Sequence, residues 1–410
     1  MKRLCLLLLV FFLFPAFCRA ENAADDKGRF LDAVALYGKA EFTASAKVLD
    51  SLYRAGADGD AVCYYLGLSE AAQGNLSAAQ ERLEEAVSRD SLNIWYRSAL
   101  ASVYEMGEKW LSLALTCERL IELDPAHFAE PYFFAKTGNA FSQAREPVRA
   151  ASYLDKVLTV VPDMPMALFN RAGVALIQED YEGFFDFAGR LMRAQELDGD
   201  WKQNYLSSMV RAIPEPMLKE WKTQLLALCA EATLSHPGHL GLHAFRQTVA
   251  HFTGDYAEVI AEAETIISLS GGDPDTRESM LQIIGDAYME MGDNKRCFAA
   301  YESVLKLNPG NIATLNNYAY MLSLAGKQLG KALKMSEKTI AAEPENVTYL
   351  DTYGWILHRM GRNAQAKEVF KKAMICGGRQ QKVITAHYAA VLRALGETDL
   401  ADYYESLSAR

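Results

Sequence analysis

Residues 278–311 decide the fold, and they read ESMLQIIGDAYMEMGDNKRCFAAYESVLKLNPGN. The residues that set the pattern are Ile284, Gly285, Tyr288, Gly292, Tyr301, Val304 and Pro309. Parts of the pattern return at Gly326, Ala332 and Pro344, and again at Gly361, Ala366, Phe370 and Ala373. A period of about 34 residues predicts a repeat architecture in which each repeat is one pair of helices.

The residue types at these positions suit a helical hairpin. A small residue such as Gly285 allows two helices to approach closely, where a bulky one would force them apart. Gly292 suits the turn between the helices, because glycine adopts a positive φ without steric cost. Pro309 ends the second helix, because it cannot donate a hydrogen bond to the preceding turn. We therefore expect each repeat to contain a first helix (the A helix), a turn, and a second helix (the B helix).

The pattern resembles the tetratricopeptide repeat (TPR), with repeats that start at about 26, 60, 94, 131, 165, 206, 240, 278, 312, 347 and 381. This resemblance implies an all-α TPR solenoid, a right-handed superhelix of about eleven helical hairpins. The phrases LNNYAYML (315–322) and LDTYGWIL (350–357), followed by GRNAQAKEVFKKA, look like the C-terminal repeats of bacterial envelope TPR adaptor proteins.

Two stretches depart from the period. Residues 201–221 read WKQNYLSSMVRAIPEPMLKEW, and the two prolines predict an A helix over about 200–212 and a B helix over about 216–235. Residues 270–274 read SGGDP, which predicts a flexible connection. We divide the chain into N-terminal repeats (21–205) and C-terminal repeats (206–410), which form one continuous or bent solenoid.

The first twenty residues have the order of a secretory signal peptide. Lys2 and Arg3 precede an apolar run over 4–14, which is too short to span a bilayer, and small residues follow before position 21. Cleavage after residue 20 predicts export across the inner membrane and a periplasmic or envelope-associated protein. There are two alternatives: a lipid anchor at Cys18, or a signal segment that is not cleaved and anchors the protein. Phe17, directly before Cys18, disfavours the lipid anchor. No later segment is long and apolar enough for a transmembrane helix.

Charge and cysteine content exclude several classes of function. Cleavage removes three basic residues and no acidic one, so the net charge changes from −10 to −13. An acidic chain without basic clusters does not favour nucleic acid or an anionic membrane as a partner. The remaining cysteines, which we interpret as buried packing residues rather than as a disulfide framework or a metal site, are Cys63, Cys117, Cys229, Cys297 and Cys376.

The resemblance also implies where a partner would bind. In TPR proteins the A helices line a concave groove that binds a protein or peptide. The equivalent positions here carry Asn316, Tyr320, Asp351, Trp355, His358 and Arg359, together with Ser323. Neighbouring aromatic and polar residues of this kind are typical of interface hot spots. Packing of Tyr320 and Trp355 between helices is the alternative, and the sequence leaves the two interpretations open.

Four histidines, His236, His239, His243 and His251, lie close together in the sequence. His239 and His243 are four residues apart, a spacing that metal sites use, so they are weak candidates for a metal site. A role at the start or in the core of a helix is the favoured interpretation. No GxSxG, P-loop or GxGxxG motif is present, and the sequence predicts no cofactor.

These observations favour a non-catalytic scaffold or adaptor of the cell envelope that binds a protein or peptide in its groove. The alternative is a TPR-containing carrier of a small molecule or glycan, which would usually carry long loops between repeats. An enzyme hidden in the repeats is disfavoured. The last repeat, 381–410, caps the solenoid or offers a surface for self-association.

Overall fold

The computed structural model describes residues 25–57 and 59–409, and within these ranges the chain contains helices and turns but no strand. The predicted signal peptide, with Cys18 and the other residues up to position 20, lies outside the described residues. The all-α hairpin architecture is confirmed. In the described ranges no helix is both long enough and apolar enough to cross a membrane.

The chain divides into two compact units, with the boundary between Glu196 and Leu197. Unit 1 contains α1 (25–38), α2 (Phe42–Arg54), α3 (Asp60–Ala72), α4 (Leu76–Arg89), α5 (Ile94–Met106), α6 (Trp110–Leu123), α7 (Pro125–Phe128), α8 (Pro131–Gln143), α9 (Pro147–Val160), α10 (Pro165–Ile177) and α11 (Tyr181–Arg193). The division at 205/206 that the sequence suggests falls inside the first helix of unit 2. Whether the two halves form one continuous or bent solenoid stays a prediction.

Unit 2 contains α12 (Gly199–Ala212), α13 (Glu215–Glu220), α14 (Lys222–Ser235), α15 (Leu240–Phe252), α16 (Tyr256–Leu269), α17 (Pro274–Glu290), α18 (Asn294–Leu307), α19 (Ile312–Leu324), α20 (Leu329–Ala342), α21 (Val347–Arg359), α22 (Asn363–Ile375), α23 (Lys382–Ala394) and α24 (Thr398–Ser408). A single 3-10 turn, Gly378–Gln380, precedes α23. From α15 onward, odd-numbered helices are A helices and even-numbered helices are B helices, and each A helix packs on its own B helix.

Close approach of glycine to a large side chain holds several hairpins together. The pairs are Gly67 with Leu83, Gly138 with Leu154, Gly285 with Tyr301, and Gly354 with Phe370. A Cβ atom added at Gly285 would lie 2.6 Å from the Tyr301 ring, and one added at Gly354 would lie 2.7 Å from the Phe370 ring. These distances leave no room for a methyl group, so the packing requires glycine at these positions.

The structure corrects two helix boundaries. The B helix expected over 216–235 is interrupted at Trp221, which is buried and separates the short α13 from α14. Helix α17 begins at Pro274, one turn earlier than the repeat start at 278. Asp273 caps it by accepting a 2.8 Å hydrogen bond from the Thr276 N–H, and proline is favoured at the first helical position. The SGGDP stretch is therefore partly a helix start.

Candidate functional site

Three neighbouring A helices of unit 2, α19, α21 and α23, position the candidate site. Asn311 caps α19 through a 2.8 Å hydrogen bond from the Thr314 N–H, and Asn346 caps α21 through the N–H of Thr348 at 3.0 Å. Side chains three, four and seven residues apart lie on one face of a helix. Asn316 and Tyr320 of α19 therefore lie on the same face, as do Asp351 and Trp355 of α21.

These side chains meet at His387, which α23 contributes. Its ring stacks on Trp355 with the centroids 4.0 Å apart and the planes 19° apart. Its Nδ1 lies 2.9 Å from Oδ1 of Asp351. The centroids of the His387 and Tyr320 rings are 6.3 Å apart. We call Asn316, Tyr320, Asp351, Trp355 and His387 the Trp355 cluster.

Two polar atoms of the Trp355 cluster are buried and have no hydrogen-bond partner among the described residues: Oδ1 of Asn316 and Nε1 of Trp355. Asn316 as a whole is 4% exposed, whereas Trp355 is half-buried. A buried polar atom without a partner costs about 1–3 kcal/mol. The cluster thus offers one hydrogen-bond acceptor and one donor that the rest of the described chain does not use.

The charge of the Trp355 cluster is concentrated on Asp351. The side chain of Asp351 is 9% exposed, and the imidazole of His387 is the partner that compensates for its burial. Burial, together with the negative charge of Asp351, raises the pKa of Tyr320, which therefore keeps its hydroxyl proton at neutral pH. The cluster contains aromatic surface, hydrogen-bonding groups and one carboxylate, and this set suits recognition of a ligand.

The other sequence candidates lie at the edge of this cluster. The His358 ring lies 4.9 Å from Trp355, and its Nδ1 lies 2.8 Å from Oδ1 of Asn363. Arg359 is exposed at the end of α21, beside the turn at Gly326, and makes no ion pair within the part of the chain that the structure describes. Ser323 is buried and donates to the carbonyl of Tyr320, so it is a packing residue.

Sequence reasoning missed His387. His387 follows Thr352 by 35 residues, and Thr352 follows Asn317 by 35 residues, so the three residues occupy equivalent positions in successive repeats. The candidate positions of α19 and α21 continue at Ala386 and Ala390 in the last repeat, so extending the A-helix comparison would not have identified His387. The sequence predicts only capping or self-association for the last repeat.

A hydrogen-bond network extends from the Trp355 cluster to α17. Asn316 donates to Oδ1 of Asn317 at 3.3 Å, and Asn317 donates to Oδ1 of Asp286 at 3.1 Å. The Tyr301 hydroxyl also donates to Oδ1 of Asp286, at 2.6 Å. The polar face of the A helices is thereby continuous from α17 to α19.

His239 and His243 have structural roles in this fold. His239 caps α15, with its Nδ1 accepting a hydrogen bond from the Leu242 N–H at 3.1 Å. His243 is buried, and its two ring nitrogens lie 2.6 Å from the Glu262 carboxylate and 3.0 Å from the Pro237 carbonyl. Both nitrogens therefore face acceptors, as in a satisfied core histidine. Over residues 25–57 and 59–409 no group of three or more metal-ligating side chains is placed to hold an ion.

The five cysteines of the described ranges are Cys63, Cys117, Cys229, Cys297 and Cys376. Four of them are buried, and burial raises the pKa of Cys117 to about 11 and that of Cys229 to about 12. Cys376 differs from the expectation, because it is half-exposed and follows the last residue of α22 rather than lying within the helix. Thiols with raised pKa values are poor nucleophiles at neutral pH, which agrees with a packing role.

Comparisons with known protein families identify repeats in both units. A tetratricopeptide-repeat model matches residues 278–311 and 347–374, and a second tetratricopeptide-repeat model matches residues 136–195. The best-conforming stretch of the sequence, 278–311, is thus matched along its whole length.

Individual relatives cover parts of the chain. Cellulose synthase operon protein C of Pseudomonas fluorescens (strain SBW25) is 31% identical over 87 residues, which are 21% of this chain and 7% of that protein. The chain therefore spans only a small part of this relative's length. Among solved structures, MamA from Desulfovibrio magneticus RS-1 matches at 18% identity and a TM-score of 0.36, over 41% of this chain and 92% of that one. A tetratricopeptide repeat protein from Parabacteroides merdae ATCC 43184 matches at 15% identity and a TM-score of 0.33, over 69% of this chain and 93% of that one.

Proposed function

We propose that this tetratricopeptide-repeat protein is a non-catalytic scaffold of the cell envelope that binds a protein partner on the A-helix face of unit 2. The Trp355 cluster anchors an extended segment of that partner. Tetratricopeptide repeats themselves indicate protein–protein interaction. The site, the envelope location and the absence of catalysis are the parts that we add.

The observation that carries this proposal is the pair of unused polar atoms in the Trp355 cluster. The Trp355 N–H needs an acceptor, and Oδ1 of Asn316 needs a donor. An extended peptide backbone supplies both, because each residue other than proline carries one C=O and one N–H group. Because both atoms are buried, the side chains of Asn316 and Trp355 would have to turn towards the bound segment. The new hydrogen bonds would then recover part of the free energy that burial of these atoms costs.

Aromatic surface adds to this affinity. The stacked rings of Trp355 and His387, with Tyr320 nearby, are half-buried and so already held in place by the fold. Preorganised aromatic side chains bind at low entropic cost, and tryptophan and tyrosine are enriched among residues that dominate binding energy.

The envelope location rests on the sequence of the first twenty residues, with Lys2 and Arg3 before a short apolar run. The non-catalytic character rests on the chemistry of the candidate site. The Trp355 cluster contains neither a serine nor a cysteine nucleophile, and the carboxylate of Asp351 is already paired with His387.

The test is capture of the partner from the native envelope after crosslinking, with wild type beside a Tyr320→Ala/Trp355→Ala variant. We expect wild type to recover a specific protein and the double variant to lose it. Tyr403→Ala is the matched control, because Tyr403 is an exposed aromatic residue of the B helix α24 and we expect it to leave capture unchanged. Far-UV circular dichroism is the folding control, and we expect it to show the same helix content for all three proteins.

Equal recovery by wild type and the double variant would contradict the assignment of the Trp355 cluster as the anchor. Recovery of no protein by either would contradict the scaffold function itself. Fractionation of the cell provides the separate test of location, since a protein found only in the cytoplasm would overturn the envelope part of the proposal.

A further inference from the structure

A cavity of about 310 Å³ lies in unit 2 between α15, α16 and α17. Its apolar wall is formed by Tyr256, Val259, Ile283 and Ala287. The volume lies at the lower end of the range for small-ligand sites. It suits a single long side chain better than a large ligand.

The polar lining of this cavity includes a buried amide side chain. Gln247 is 7% exposed, and its Nε2 group is oriented towards the Val259 carbonyl at 3.4 Å and Sδ of Met280 at 3.6 Å. These two contacts of Nε2 set the orientation of the amide. Oε1 of Gln247 then has no hydrogen-bond donor among the described residues. The cavity is therefore lined by an amide oxygen, on a residue that is 7% exposed, that no donor among the described residues uses.

Two carboxylates at the cavity are also without a cation. Asp286 and Glu290 both line it, and they lie four residues apart on one face of α17. The hydrogen bonds that Asp286 receives, from Tyr301 and Asn317, both end on Oδ1, so Oδ2 is unused. Neither carboxylate forms an ion pair within the part of the chain that the structure describes. Among the residues that line the cavity, His251 is the basic side chain, and no lysine or arginine is present.

On the premise that the A-helix face of unit 2 binds a peptide, we propose that this cavity takes a lysine or arginine side chain of the bound partner. The aliphatic stem packs on the apolar wall, in the way that long basic side chains bury their methylene groups. The ammonium or guanidinium group donates to Gln247, Asp286 and Glu290. Such a group has only donors, and Oε1 of Gln247 and the oxygens of the two carboxylates are acceptors.

The position of the cavity sets the spacing of the partner's residues. Asp286, which lines the cavity, is hydrogen-bonded to Asn317 of α19, and α19 packs against α21, which carries Trp355. Packed helices lie 8–10 Å apart, so two steps from α17 to α21 cover roughly 16–20 Å. An extended chain rises about 3.3 Å per residue. The basic side chain is then expected about five or six residues from the segment that contacts the Trp355 cluster.

The test uses a random decapeptide library with blocked termini, selected on the whole protein. We expect wild type to select lysine or arginine at one position. In a selected peptide, replacing that residue with norleucine should weaken binding to wild type roughly tenfold, as expected for charge-assisted hydrogen bonds. The same replacement should have little effect on binding to the Glu290→Gln and Asp286→Asn variants.

Glu264→Gln is the matched control, because Glu264 is an exposed carboxylate of α16 that does not line the cavity. It removes the same charge, so we expect it to keep the preference for a basic residue. Selection of peptides without such a preference would overturn the assignment of the cavity and leave the peptide-binding function intact. Selection of no peptide by wild type would contradict both.

A free polyamine shares the chemistry of the lysine side chain, so spermidine is the second probe. Calorimetric titration of spermidine should show no binding that depends on Glu290. Free spermidine lacks the contacts that the rest of a bound peptide makes with the protein. Binding of spermidine that Glu290→Gln abolishes, together with peptides that show no basic preference, would assign the cavity to a small cation instead and overturn the proposal.

Discussion

Replacing Trp355 with alanine should weaken binding of the captured partner by roughly 30-fold or more, which corresponds to about 2 kcal/mol. The variant removes the ring that stacks on His387 and the N–H group that has no other acceptor. It also removes the aromatic surface next to Tyr320. Isothermal titration of a purified partner segment measures the change directly.

Three further variants show why Trp355 matters. Trp355→Phe keeps an aromatic ring but no N–H group, so we expect an intermediate loss of affinity. His387→Ala leaves Asp351 buried without its partner and removes the stacked ring, so both affinity and stability should fall. Tyr403→Ala should change neither, because that side chain is 49% exposed and lies on a B helix. If the affinity of Trp355→Ala for the partner stays within twofold of wild type, the result would contradict the role of the Trp355 cluster in binding.

Tyr301→Ala should lower the free energy of unfolding by about 3–5 kcal/mol, the range for removing a large aromatic side chain from a core. Tyr301 is 0% exposed, and its ring fills the space that Gly285 leaves open. Burial and the Asp286 carboxylate raise the pKa of its hydroxyl, so the group remains a hydrogen-bond donor at neutral pH. Urea unfolding followed by circular dichroism measures the loss.

Tyr301→Phe separates the ring from the hydroxyl. It keeps the packing against Gly285 but removes the hydrogen bond to Asp286, so we expect a smaller loss of about 1–2 kcal/mol. Asp286 keeps the hydrogen bond from Asn317. A Tyr301→Ala variant that unfolds at the same urea concentration as wild type would contradict the role of Tyr301 in packing its hairpin.

The sequence predicts packing within a hairpin well, because that packing repeats at fixed spacing. Gly285 with Tyr301 and Gly354 with Phe370 are both separated by 16 residues, and the structure places each pair in close approach. Residues of one hairpin are joined by a short turn, so their spacing along the chain determines their contact. The repeat pattern therefore carries this part of the fold.

Contacts between A helices of different repeats are harder to predict. His387 contacts Asp351 in the adjacent repeat, and it also lies beside Tyr320, two repeats away. Such contacts depend on how much each repeat rotates against the next, and the spacing of small and large residues does not encode that rotation. For this reason the sequence identified Tyr320 and Trp355 as candidates but not the histidine that joins them.

The predicted boundaries of two helices are wrong, because local features override the repeat period at these points. Asp273 and Pro274 start α17 one turn before the repeat spacing suggests, and Trp221 divides an expected B helix in two. The first is a capping effect that the DP pair could have indicated. The second depends on burial of Trp221, which only the packed structure reveals.

Site-specific photo-crosslinking tests the central claim most directly. A photoreactive amino acid replaces Arg359, which is exposed at the edge of the Trp355 cluster, or Lys371, which is exposed on the B helix α22. After irradiation in the native envelope, the position-359 protein should carry one specific protein adduct that Trp355→Ala abolishes, and the position-371 protein should not. An adduct of equal yield at position 371, or a partner that crosslinks at neither position although it is still captured, would contradict binding on the A-helix face of unit 2.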